Sequence, residues 1–170
     1  MGDASRAVFR VFINGTVDAV WTEITKMDAP QGCFFNNWME VDDFKPGGKL
    51  RMLSLSRKYV GVVGEILVFE PKTRFGHTFK FTHYEDPPCR VFYELTKKEG
   101  GVEFTMTLED VPAGTKTAKD MMRGGDMITK TIKAIVEDGQ PRFGTRALYW
   151  VFRLMEPLTP KSSLAEKWPL

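Results

Sequence analysis

Histidine and cysteine each occur only twice in the 170 residues, and that scarcity removes several kinds of chemistry at once. Cys33 and Cys89 are far apart in the chain and form neither a zinc-binding spacing nor a disulfide framework, so both are expected as buried free thiols. His77 and His83 on one extended strand would be held roughly 20 Å apart at about 3.3 Å per residue, too far to share a metal ion. No metal and no other cofactor is expected. An excess of one charge sign is also missing: 24 basic residues against 22 acidic leave a formal charge of +2, with no electrostatic footprint for nucleic acid. Residues 147–155 are strongly apolar, but Arg153 interrupts them and Pro157 ends them, far short of the roughly 20 residues that cross a bilayer. The opening MGDASRAVFR has no apolar core of signal-peptide length, and Arg6 stands where the myristoylation pattern needs Ser or Thr. An unlipidated, cytoplasmic chain is therefore expected. No Ser-His-Asp order, nucleophile elbow or dinucleotide fingerprint occurs.

The motif that most resembles a phosphate cradle is Gly47-Gly48-Lys49, within DDFKPGGKLRM. A P-loop needs a glycine where Asp43 stands, a Ser or Thr where Leu50 stands, and a helix after it. The residues after Lys49 alternate like a strand instead, and Pro46 with two glycines makes a turn without a ligand.

Composition suits one soluble domain with a real core, at 42% hydrophobic and 27% charged residues. Residues 6–14 alternate as a half-buried strand, with Ala7, Phe9, Val11 and Ile13 on one face. From Thr16, a capping residue, the period becomes helical through Val17, Val20, Trp21 and Ile24. A short helical turn is expected in 30–35. Strands are then expected over 48–57, 59–70 and 74–84, the last with Phe75, His77, Phe79, Phe81 and His83 on one face. Two more come after them, carrying Cys89, Val91, Tyr93 and Leu95, then Val102, Phe104, Met106 and Leu108, across the Gly100-Gly101 turn. Short links imply an antiparallel meander. The stripe Ala118, Met122, Gly125, Ile128, Ile132 and Ile135, widened by Met121 and Val136, predicts a long helix over 115–137, stopped by Gly139 and Pro141. Such a helix, coming after a one-faced sheet, is expected to lie on that sheet.

This order resembles the α+β helix-grip fold of the START and Bet v 1-like (SRPBCC) superfamily, in the branch related to the activator of Hsp90 ATPase. The residues that carry the resemblance are Val20-Trp21, Trp38, Lys45-Pro46-Gly47-Gly48-Lys49, Gly64-Glu65, Glu70-Pro71, Arg74 and Gly100-Gly101. It implies a curved antiparallel sheet wrapped around a long C-terminal helix, with short helices after the first strand. It also implies a cavity that in relatives holds hydrophobic small molecules or lipids, or performs cyclase or aromatase chemistry on polyketides. The co-chaperone role is not implied, since there it accompanies a separate domain for which this length has no room. Residues 6–138 are expected to form the domain and 139–170 an extension, an amphipathic helix with a Pro-containing tail. Gly124-Gly125 precedes Asp126 where many relatives have a Gly-Trp pair.

The expected pocket is lined by Phe9, Val11, Trp21, Trp38, His77, Phe79, Phe81, Tyr93, Phe104, Met106, Met121, Met122, Gly125 and Ile128. If Pro71-Lys72-Thr73 is a three-residue hairpin loop, Glu70 faces Arg74 and Glu65 faces Phe79, with His77 on the diagonal of the same face. A carboxylate beside an imidazole in an apolar pocket could orient a hydroxyl or move a proton; a one-residue slip would turn Glu65 outward instead. Tyr93 adds an inward phenol. Three functions are compatible with this pocket: binding of a hydrophobic small molecule or lipid, cyclase- or hydratase-type catalysis by Glu65, His77 or Tyr93, and a protein-interaction module. The helix in 142–156 is expected to pack on its own domain or form a homodimer rather than lie on a membrane.

Overall fold

A computed structural model describes residues 4–170. Residues 1–3, where the expectations about a leader and an acylation signal partly fall, lie outside the described residues.

The chain runs β1 (Ala4–Ile13), α1 (Val17–Thr25), a 3-10 turn (Gly32–Phe34), β2 (Trp38–Val41), β3 (Lys49–Leu53), β4 (Val60–Glu70), β5 (Arg74–Phe81), β6 (Cys89–Lys98), β7 (Gly101–Pro112), α2 (Lys116–Asp138) and α3 (Phe143–Met155). The seven strands form one antiparallel sheet in the order β1-β7-β6-β5-β4-β3-β2. The α+β helix-grip architecture is therefore present. Its local causes are legible: Thr16 and Thr115 cap α1 and α2 by accepting the amide protons of Ala19 and Ala118, and Gly139 ends α2 in the left-handed region at φ 82°.

The inward alternation of β6 and β7 is as expected, with Val91, Tyr93, Leu95, Phe104, Met106 and Leu108 all buried. Strand β2 is an addition to the expected elements. It is only four residues long and comes just after the left-handed pair Phe35 and Asn36, so no period-2 run announces it. The Pro46-Gly47-Gly48 segment is the β2–β3 turn: Gly47 takes φ 92°, Asp42 Oδ1 accepts the Lys49 amide at 2.6 Å, and the Ile66 amide donates to Gly48 O at 2.7 Å. It holds strands, not phosphate.

Helix α2 packs chiefly against β1, β7 and the 3-10 turn. It buries Met121, Gly125, Ile128, Ile132 and Ala134, and each large side chain removed from water contributes about 1.5–3 kcal/mol. Met122 does not belong to this face. At roughly 100° per residue it is turned away from Met121, and it is 48% exposed. The helix meets the sheet at Gly125, where a methyl group would collide with the Phe9 ring. One residue earlier it stands off, since a Cβ on Gly124 would lie 3.5 Å from Phe35, an ordinary contact.

The two glycines should therefore respond oppositely. Gly125→Ala is expected to destabilise by about 1–3 kcal/mol through overpacking on Phe9, whereas Gly124→Ala should be neutral or stabilise by up to about 1 kcal/mol through helix propensity. Urea denaturation of the two variants checks this.

Candidate functional site

Because α2 rests on the β1–β7 side, the β3–β5 side of the concave face is left under less cover, and a cavity of about 160 Å³ opens there. Its floor is Met52, Val62, Phe79 and Phe81 from the sheet, its back Tyr93 and Met106, and its roof Met121, Gly124, Gly125 and Ile128 from α2. Phe34 and Phe35, from the turn after α1, close one end. A dry cavity of about 150 Å³ accommodates a benzene molecule, so this one matches a single aromatic ring or a short branched chain. Besides the buried Tyr93, its polar side chains gather at the rim, in Asn37, His83 and Asp120.

Seven of the residues expected to line the pocket do so: Phe79, Phe81, Tyr93, Met106, Met121, Gly125 and Ile128. The others are elsewhere, His77 among them, buried beside Tyr93 but not part of the cavity lining. Phe9 and Val11 pack against the core beneath α2, Trp21 lies against Phe69 with ring centroids 5.4 Å apart, and Phe104 is fully buried behind Tyr93. Trp38 lies at the sheet edge, its indole N–H donating to Leu55 O and Arg57 stacked 4.0 Å above its ring. Met122 faces solvent. Sequence reasoning did not place Phe34, Phe35 and Asn37 in the lining: Pro30, Gly32 and Asn36-Asn37 signal a turn there, but tertiary contacts decide which of its side chains meet the cavity.

The expected Glu65–His77 pair is not formed. The hairpin does begin with Glu70 opposite Arg74, but a bulge between Ile66 and Val68 shifts the register by one, so that Ile66 faces His77. Glu65 is turned to the outer surface, opposite Lys49, and its amide donates to Thr78 Oγ1 at 2.8 Å. His83 is likewise not on the His77 strand face, since β5 ends at Phe81.

His77 has a different partner. Its Nδ1 is 2.7 Å from Thr78 O, which fixes the proton on Nδ1 and leaves Nε2 as an acceptor 3.5 Å from the Tyr93 hydroxyl. Burial lowers the imidazole to about 4, against the opposing pull of the Thr78 carbonyl. Burial likewise raises the Tyr93 phenol well above its ordinary range. At neutral pH this pair is a neutral imidazole and a protonated phenol, able to donate or accept hydrogen bonds but ill placed to separate charge. Burial also pushes up both thiols, Cys89 to about 11, which leaves them unreactive. At the rim Tyr84 donates to Asp120 at 2.8 Å, a bond that pushes its phenol up to about 12, and burial lowers His83 below 6.5. No group of His, Cys, Asp and Glu able to hold a metal is found among the described residues.

Residues 5–137 match the family model described as Activator of Hsp90 ATPase homolog 1-like protein. The chain belongs to this family. Among solved structures, the protein ChR145 from Cytophaga hutchinsonii superposes with a TM-score of 0.64 at 18% identity, over 82% of this chain and 97% of that one. CalU16 from Micromonospora echinospora gives 0.59 at 15%, covering 89% and 91%. The Aha1 dimer from Colwellia psychrerythraea gives 0.61 at 10%, covering 78% and 96%. At these identities the likeness is one of fold. No match is found among curated proteins. Among the described residues no helix of this family member is long and apolar enough to cross a membrane.

The buried His77 gives a measurable pH signature. Its folded value lies below the unfolded 6.5, so the unfolded state binds the extra proton, and this stability is full above pH 6.5 and lost as pH falls toward 4. The loss should reach roughly 3 kcal/mol. Between pH 7 and pH 4 the unfolding free energy of the wild type should fall by about that amount more than the unfolding free energy of His77→Phe.

Proposed function

We propose that this chain binds a small, largely apolar molecule in the cavity between β3–β5 and α2. The observation that carries the reading is the cavity itself, a largely apolar space of about 160 Å³ with Tyr93 as the buried polar side chain of its lining and the other polar groups at the rim. Its volume favours a ring or short chain over the full length of a lipid acyl tail. Residues 6–138 supply this site, and no cofactor takes part. We read the setting as cytoplasmic.

The cyclase- or hydratase-type alternative has less support. Glu65 is outside the cavity, and the neutral His77 and protonated Tyr93 are separated in proton affinity by the burial that both share. Of the two only Tyr93 lines the cavity, and its hydroxyl serves better as a hydrogen-bonding group for a ligand than as half of an acid-base couple.

Fluorescence titration with the neutral probe N-phenyl-naphthylamine, whose phenyl ring matches the cavity while its naphthyl group stays at the open rim, tests the binding reading. Saturable binding is expected in the wild type and its loss in Gly124→Leu, which fills the cavity from the helix while adding helix propensity. Native mass spectrometry of protein from its own host would show the natural occupant. A wild type that takes up no probe, with no co-purified molecule, would overturn the proposal.

A second reading rests on α3. Its outer face carries Phe143, Trp150, Val151 and Leu154, from 41% to 78% exposed, with Leu158 beyond them at 78%. So much contiguous apolar surface supports self-association through 142–156. An antiparallel two-fold pairing would set Ala147 against Leu154 and Trp150 against Val151, a larger residue meeting a smaller one in each pair. The Aha1 structure from Colwellia psychrerythraea is a dimer, which is consistent with this reading. Sedimentation equilibrium should show a concentration-dependent dimer that Leu154→Asp abolishes.

A further inference from the structure

The segment beyond the family match does more than extend the chain. After α3 it is fastened to the β3–β5 region: Ser56 donates to Glu156, Ser163 Oγ and Thr82 Oγ1 are 2.8 Å apart, Leu164 bridges to Tyr59, and Arg51 donates to Trp168 O at 2.8 Å. At the near end Tyr149 donates to Gly32 O at 2.7 Å. Helix α3 is thereby held across the rim of the cavity. Between it and the sheet lies an outer chamber of about 360 Å³, which shares Phe35, Asn37 and His83 with the inner cavity. Phe35 is the partition. It and Asn36 both have positive φ, 58° and 59°, an uncommon conformation for non-glycine residues and one that recurs at ligand-binding positions.

The two chambers differ in chemistry. The inner one is aromatic, whereas Asn36, Asn37, Ser54, His83 and Arg153 bring hydrogen-bond donors to the outer one. Among the described residues Arg153 has no ion pair. Among them, too, the only carboxylate lining the chamber is Glu156, which accepts from Ser56. The inner volume alone falls below the roughly 300–1,000 Å³ usual for small-molecule sites, and the outer chamber brings the site into that range.

From this arrangement we infer that the ligand is an amphiphilic organic anion, its apolar end in the inner cavity and its carboxylate or similar head on Arg153 in the outer chamber. The inference rests on the binding reading under Proposed function and deepens it. The residue that selects the head group thus comes from α3, outside the matched residues 5–137. Arg153 supplies a planar set of donors suited to a carboxylate or sulfonate.

Two probes of similar shape separate the possibilities: anilinonaphthalene sulfonate, which is anionic, and neutral N-phenyl-naphthylamine. Each is titrated into the full chain, into Arg153→Gln and into Gly124→Leu. The expected result is saturable binding of both probes to the wild type and loss of both in Gly124→Leu. Arg153→Gln should weaken the anionic probe about fivefold, the limit for a solvent-accessible ion pair, and leave the neutral probe unchanged. If Arg153→Gln changes neither probe, or both equally, the head-group assignment is overturned and the cavity reading stands. If the anionic probe binds Gly124→Leu as well as wild type, it is adsorbed elsewhere and the assignment is again overturned. Absence of binding by both probes overturns the cavity reading with it.

Discussion

The seating of α2 on β1, where Gly125 makes room for the Phe9 ring, is the contact on which the rest of the arrangement depends. A helix that touches a curved sheet along one side must diverge from it on the other, because the sheet twists away while the helix stays straight. Here contact falls on β1 and β7 and divergence on β3–β5, so the cavity is a geometric consequence of where the helix is allowed to come close. Two neighbouring glycines have separate duties in this: Gly125 permits the contact, and Gly124 leaves the space beside it unfilled.

The interior chemistry depends on the same placement. His77 and Tyr93 are taken out of water together, and desolvation drives each toward its neutral form. A pair of that kind is well suited to holding a neutral polar atom inside an apolar space, and poorly suited to creating ions there. The charged groups of the site are at the rim instead, where water still shares the work of solvating them.

Most of the fold was readable because its causes are local. Alternation identified the long strands, the 3.6 period identified α2, and Thr16, Thr115 and Gly139 marked helix ends through hydrogen bonds and dihedral angles that single residues dictate. The site was only half readable. Phe79, Phe81, Tyr93 and Met106 lie on regular strands whose faces alternation reveals, whereas the loop of Phe34, Phe35 and Asn37 is placed by contacts with distant elements, Phe34 on Tyr93, Phe35 on Tyr149 and the turn on α2. Met122 was misplaced by one helical position, and Glu65 by one strand position, since periodicity locates a face only as well as it locates the phase.

The bulge in β4 gives Glu65 a meaning other than chemistry. Without the extra residue that the bulge absorbs, the strand would pair one step out of register, and this carboxylate would enter an apolar interior with no cation to meet it, at a cost of several kcal/mol. The misregistered strand is thus closed to the chain by a charge that takes no part in any interior contact. With Val62 and Ile66, which the slipped register would turn out of the core, Glu65 favours the observed alignment of β4 on β5, and with it the side chains that the cavity receives.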